Sequence, residues 1–186
     1  MLSLIVALLV TAPQNVDIAE NEPKLPKPFK ASGKVMALAT FKDSDGNHTA
    51  YVEQSSTKKG DLELHAYGYA GATKQWQAND FVRECELDQV LAYRAKSLAV
   101  TDLDNDGIAE VSFAYEQTCA GDVSPHTLKL LMYEGTTKYA VRGETIVDIG
   151  SGEKVDGGYE LDPALKNAPA AFAEHLKARW AELIRI

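Results

Sequence analysis

The sequence predicts a mainly β domain, an α+β chain in which antiparallel hairpins build a sheet and one amphipathic C-terminal helix docks on it. Three observations carry this. Apolar residues recur at every second position in several short runs, and Gly-, Asp- and Asn-rich turns separate those runs. A spacing near 3.6 appears only in the tail.

In chain order, Leu2 to Val10 is an apolar run broken only by Ser3. It is too short to span a bilayer but matches a secretory signal, with Val10-Thr11-Ala12 ahead of a cut after Ala12. A buried strand or a short core helix is the alternative. Residues 1–12 are therefore expected to be a signal peptide. Residues 13–32, where Pro23, Pro26 and Pro28 alternate with Lys24, Lys27 and Lys30, read as an extended solvated leader. A single domain over 33–186 follows. Val35, Ala37, Ala39 and Phe41 share one parity, Asp43 to Asn47 supplies a turn, and Thr49, Tyr51 and Glu53 lead away, which is a hairpin signature. Leu62 to Tyr69 alternates as a strand would, whereas Phe81 to Leu87 is ambiguous. Ser97 to Thr101 enters a second hairpin that Ala109 to Tyr115 leaves, with Val111, Phe113 and Tyr115 two residues apart. Leu128 to Tyr133 and Lys138 to Arg142 form a third, joined through Gly135. Asp162-Pro163 starts a short helical turn. In the tail Asn167 can cap and Pro169 fits a first turn, and Phe172, Leu176, Trp180, Leu183 and Ile184 form one apolar stripe. The stripe is expected to cover a sheet face, with Trp180 as its largest contact. No internal repeat is present, so a complete multi-blade propeller is excluded.

The chain has 186 residues, and 19 Lys and Arg against 27 Asp and Glu give a net charge of -8. An acidic chain without a basic cluster is a poor phosphate-backbone binder and is repelled by anionic lipid, so neither nucleic acid nor a stable membrane span is expected. There are two cysteines, Cys85 and Cys119. An even count in a chain read as exported points to a disulfide, with two separate buried thiols as the alternative.

One stretch carries recognisable chemistry. Asp102, Asp104 and Asp106 stand at positions 1, 3 and 5 of a loop, with Gly107 at position 6 and Glu110 at position 9. Ca²⁺ takes six to eight oxygen ligands, and alternate residues of a tight loop turn their carboxylates to one centre. Gly107 permits the turn that brings the Ile108 carbonyl inward. Without a cation each close pair of these acids repels by about 1 kcal/mol even at high dielectric. The metal set is thus Asp102, Asp104, Asp106, Ile108 and Glu110, and a metal-free Asp-rich turn is the alternative. Position 12 is Phe113, which excludes an EF-hand.

From Thr101 to Val111 the pattern Asp-x-Asp-x-Asp-Gly-x-x-Glu resembles the strand-loop-strand calcium site of integrin-type (FG-GAP) repeats, here in a single copy. A longer set, Ser97-Leu98, Thr101 to Gly107, Cys119 to Pro125, Leu128 to Leu130, Met132 to Gly135 and Lys138 to Gly143, resembles a small family of bacterial envelope proteins labelled with a role in surface polysaccharide biosynthesis. That resemblance implies an exported, extracytoplasmic protein whose partner is an envelope polysaccharide or an envelope protein. It supplies no catalytic residues.

Other motifs are sparse. His48, His65, His126 and His175 have no metal-ligand spacing, and no GxSxG, P-loop or GxGxxG occurs. The glycines at 143, 150, 152, 157 and 158 read as turn formers. Glu84 and Glu86 near Asp88 suggest a glycosidase pair, and Tyr67, Tyr69, Trp76 and Trp180 a sugar-stacking platform, although aromatics at such spacings are more often core. The sequence therefore favours a non-enzymatic calcium-loop domain. A carbohydrate-active hydrolase with structural calcium and an extracytoplasmic protein-interaction module are the alternatives.

Overall fold

Two antiparallel sheets packed face to face, with a helix on the far side of the second, describe this chain in the computed structural model, which covers residues 12–148, 154–155 and 158–185. The signal-like run before Ala12 and the glycines at 150, 152 and 157 lie outside those residues. The first sheet runs in chain order through β1 (Gln14–Glu20), β2 (Lys34–Asp43), β3 (Gly46–Ser56), β4 (Leu62–Ala70) and β5 (Thr73–Val82). The second contains β6 (Asp88–Tyr93), β7 (Ala99–Thr101), β8 (Glu110–Ala120), β9 (Thr127–Glu134), β10 (Thr137–Glu144) and β13 (Tyr159–Leu161). Its order is β13-β10-β9-β8-β6, and β7 pairs with the first residues of β8. A short pair, β11 (Val147–Asp148) and β12 (Lys154–Val155), stands apart. A 3₁₀ turn (Pro163–Lys166) leads to α1 (Ala170–Leu183).

The inner faces of both sheets make the main core. Leu64, Ala66, Trp76 and Val52 meet Leu91, Phe113, Leu131 and Tyr133, and the Trp76 and Tyr133 rings stack at 4.2 Å between centroids. Gly68 makes room for this stack, because a Cβ there would lie 2.1 Å from the Trp76 ring. On the opposite face of the second sheet Leu128, Leu130, Met132 and Val141 are fully buried by Phe172, Leu176 and Trp180. The expected helical stripe is thus a third layer. Arg94 holds it at its end, with Nη2 donating to the Leu183 carbonyl at 2.8 Å and Nη1 to Glu116 at 3.2 Å, where a cation complements the helix dipole.

Four expectations are corrected. The leader is not merely solvated: its first half is β1, paired with β2, and Leu25 and Phe29 pack on Val35, Leu38 and Tyr51 across the outer face of the first sheet. Glu20 accepts from the Tyr93 hydroxyl at 2.6 Å and the Lys96 amide at 2.7 Å, and Ser32 donates to the buried Glu53, so the segment is fastened at the end of β1 and again at Ser32. Folded structure therefore begins well before residue 33. Val35 leaves the parity of Ala37, Ala39 and Phe41, because a bulge between Val35 and Ala37 turns it to the outer face. Phe81 and Val82 resolve as the end of β5, a strand that the periodicity did not reveal. Asn167 does not cap α1. The N-cap is Pro169, with no side-chain bond, because the residue before a proline avoids helical backbone.

Cys85 and Cys119 form a disulfide, with Cα atoms 5.8 Å apart, tying the entry of β6 to the end of β8. Reducing it is expected to lower stability by roughly 3–4 kcal/mol, the loop entropy of its 34-residue span. Urea midpoints that coincide with and without reductant would contradict this. Disulfides persist in oxidising compartments, so the bridge is compatible with an extracytoplasmic location. No helix among the described residues is long and apolar enough to cross a membrane.

Candidate metal centre

The Asp-rich loop connects β7 to β8, which are held in register by the Thr101–Glu110 pair. Within the loop each aspartate spends one oxygen on the backbone two to five residues ahead. Asp102 Oδ2 accepts from the Gly107 amide at 3.2 Å, Asp104 Oδ1 from Asp106 at 3.2 Å, and Asp106 Oδ1 from Ile108 at 2.7 Å. Gly107 has φ +89, the left-handed backbone that its position in the motif demands. Asn105 is left-handed too, with φ 60, which asparagine tolerates. Carboxylate oxygens of Asp102, Asp104 and Asp106 lie within 4.8 Å of one another. Asp102 Oδ1 is buried and has no hydrogen-bond partner among the described residues.

A second group overlaps the first. Asp104, Glu110 and Glu134 also bring carboxylate oxygens within 4.8 Å of one another. Glu134 was not legible in the motif. It arrives because β8 and β9 pair with Glu110 directly opposite Glu134. Like charges so placed destabilise a sheet unless something neutralises them. Among the described residues none of the five acids forms an ion pair with Lys, Arg or His.

Glu110 is fully buried and accepts from Thr101 Oγ1 at 2.8 Å and the Leu103 amide at 3.0 Å. Burial pushes its carboxyl up to about 7, against the pull of those two bonds and with a contribution from Asp104. The Glu134 carboxyl is raised as well, first by burial and then by Asp104 and Asp106. At neutral pH this corner of the protein is short of positive charge, and either a proton or a cation relieves it. Of the expected ligand set, the four acids meet in these overlapping groups, and Ile108 lies between them in the loop.

The remaining candidates disperse. Trp76 and Trp180 are core residues, while Tyr67 and Tyr69 join the outer cluster with Phe29. His48, His65 and His126 each contact an acceptor side chain, Asp43, Asn79 and Glu116 respectively. Glu84 lines a groove of about 510 Å³ with Thr57, Lys59, Asp61, Glu63 and Arg83, a set that includes neither Glu86 nor any loop acid. That groove lies near the Cys119 end of the 11-residue β8, about 30 Å along the strand from Glu110. Comparison with protein-family models, curated proteins and solved structures finds no match to this chain.

Proposed function

We propose that this protein is an exported, extracytoplasmic β domain that binds Ca²⁺ through Asp102, Asp104, Asp106, Glu110 and the Ile108 carbonyl, with Glu134 as a further carboxylate. Its role is non-enzymatic, in envelope or surface-polysaccharide biology, with an envelope polysaccharide or envelope protein as partner. The observation that carries the metal reading is the pair of acidic groups sharing Asp104, without an ion-pair partner among the described residues. Hard oxygen donors at this density suit Ca²⁺ better than a soft transition metal. The disulfide is compatible with that location. A hydrolase cleft formed by Glu84, Glu86 and the loop acids finds no support, given their positions at opposite ends of β8.

Calorimetric titration is expected to show one Ca²⁺ site, and Ca²⁺ is expected to raise the melting temperature, since a ligand of the folded state stabilises it by mass action. No heat and no shift at millimolar calcium would defeat the reading. The pH dependence gives a second check. Folded Glu110 holds its proton to about 7, whereas an unfolded glutamate releases it near 4.5. Between those values the folded state binds more protons, so metal-free stability falls as pH rises, by about 3 kcal/mol from this group. Saturating Ca²⁺ takes the proton's place and should flatten the slope. Melting curves from pH 4.5 to 8, in chelator and in calcium, would display the difference.

A further inference from the structure

We infer that the turn between β2 and β3, in the opposite sheet, is a working part of the cation loop, with Asp43 as its positioning residue. This rests on the metal reading above. Asp43 is 66 residues from Ala109 in sequence, and its side chain is 1% exposed. Its Oδ2 accepts from the Ala109 amide at 3.0 Å. Its Oδ1 accepts from the Asp45 amide at 2.8 Å and faces His48 Nε2 at 2.7 Å. One residue on, the Ser44 amide donates to the Gly107 carbonyl at 2.9 Å.

These bonds fasten the two residues that flank Ile108. A carboxylate ligand can re-aim by rotating its own side chain, but a carbonyl ligand is aimed only by its neighbouring peptides. Gly107 and Ala109 are held from the turn, and the Ile108 amide is held by Asp106. The Ile108 carbonyl is thereby fixed before any cation arrives. His48 completes the support, its ring stacked on Phe41 at 4.9 Å while it contacts the Asp43 carboxylate. Cation binding and the order of the β2–β3 turn are then two ends of one linkage, and each strengthens the other.

The substitution that tests this is Asp43→Asn. Both Asp43 oxygens accept from backbone amides, so an asparagine must set its NH₂ against one of those donors while keeping the side-chain shape. We expect calcium affinity to fall by roughly 10–100-fold, the usual effect of losing a group that orients a ligand. In the unaltered protein Ca²⁺ should also slow hydrogen exchange at the Asp45 and Ala109 amides, a readout that needs no variant to fold. A purely structural Asp43 would lower the melting temperature but leave both readouts unmoved. An Asp43→Asn dissociation constant within twofold of the unaltered protein's, or turn amides indifferent to Ca²⁺ that does bind, would overturn the inference. Absence of any Ca²⁺ binding by the unaltered protein would instead fail the underlying metal reading and this inference with it.

Discussion

Replacing Trp180 by alanine is expected to cost about 3–5 kcal/mol, a large part of the 5–15 kcal/mol that holds a domain of this size. Trp180 is 2% exposed, deep in the layer between α1 and the second sheet. Its removal opens a cavity that Phe172 and Leu176, themselves fully buried, have no freedom to fill. Its indole Nε1 is buried without a partner among the described residues. Trp180→Phe removes that unsatisfied group along with some volume, and should cost less than about 1.5 kcal/mol. Urea denaturation of the two variants would separate the terms. A loss below 1 kcal/mol for Trp180→Ala would mean the helix contributes little as a structural layer.

For Asp104→Asn the expected effects have opposite signs. Asp104 belongs to both acidic groups, so it is the residue whose charge is felt by all the others. Asparagine keeps an oxygen to accept from the Asp106 amide and preserves the loop. In chelator the variant should be more stable, by about 1 kcal/mol for each close repulsion removed. Its calcium affinity should fall on the order of 100-fold, because ligand charge count sets the affinity of such loops. Melting temperatures in chelator and in calcium test both arms. A variant less stable in chelator yet equally stabilised by calcium would show that Asp104 serves the loop's shape alone.

What could be read from the chain follows how strongly each segment is patterned. The β2–β3 and β7–β8 hairpins and α1 announce themselves, since Ala37, Ala39 and Phe41, then Val111, Phe113 and Tyr115, then Phe172, Leu176 and Trp180 keep one period each. In β5 the inward row is Trp76, Ala78, Asp80 and Val82. The carboxylate within it is held by Tyr115 and Lys129, so an inward position carries a charge and hides the alternation. As an edge strand β1 has mostly exposed residues, and its apolar pair Val16 and Ile18, 41% and 40% exposed, is too short an alternation to read. The metal loop is legible because its ligands are local. Glu134 and Asp43 are not, for one is delivered by the β8–β9 register and the other by packing between sheets.

The chain-order arrangement of the first sheet has a consequence for the sequence of assembly. Its five strands pair with their immediate successors, so the ladder from Gln14 to Val82 closes through sequence-adjacent strands alone, and pairings nearer in sequence form faster. During synthesis this half is complete before β6 has emerged. Until β8 and β9 arrive, however, Leu64, Ala66 and Trp76 face solvent, and a half-built sandwich of this kind is exposed to aggregation. Cys119 is the penultimate residue of β8, so its partner Cys85 must wait unpaired until nearly all of that strand is available to cover the apolar face. Disulfide closure thereby records that β8 has arrived, while Tyr133 of β9, the stacking partner of Trp76, is still to follow.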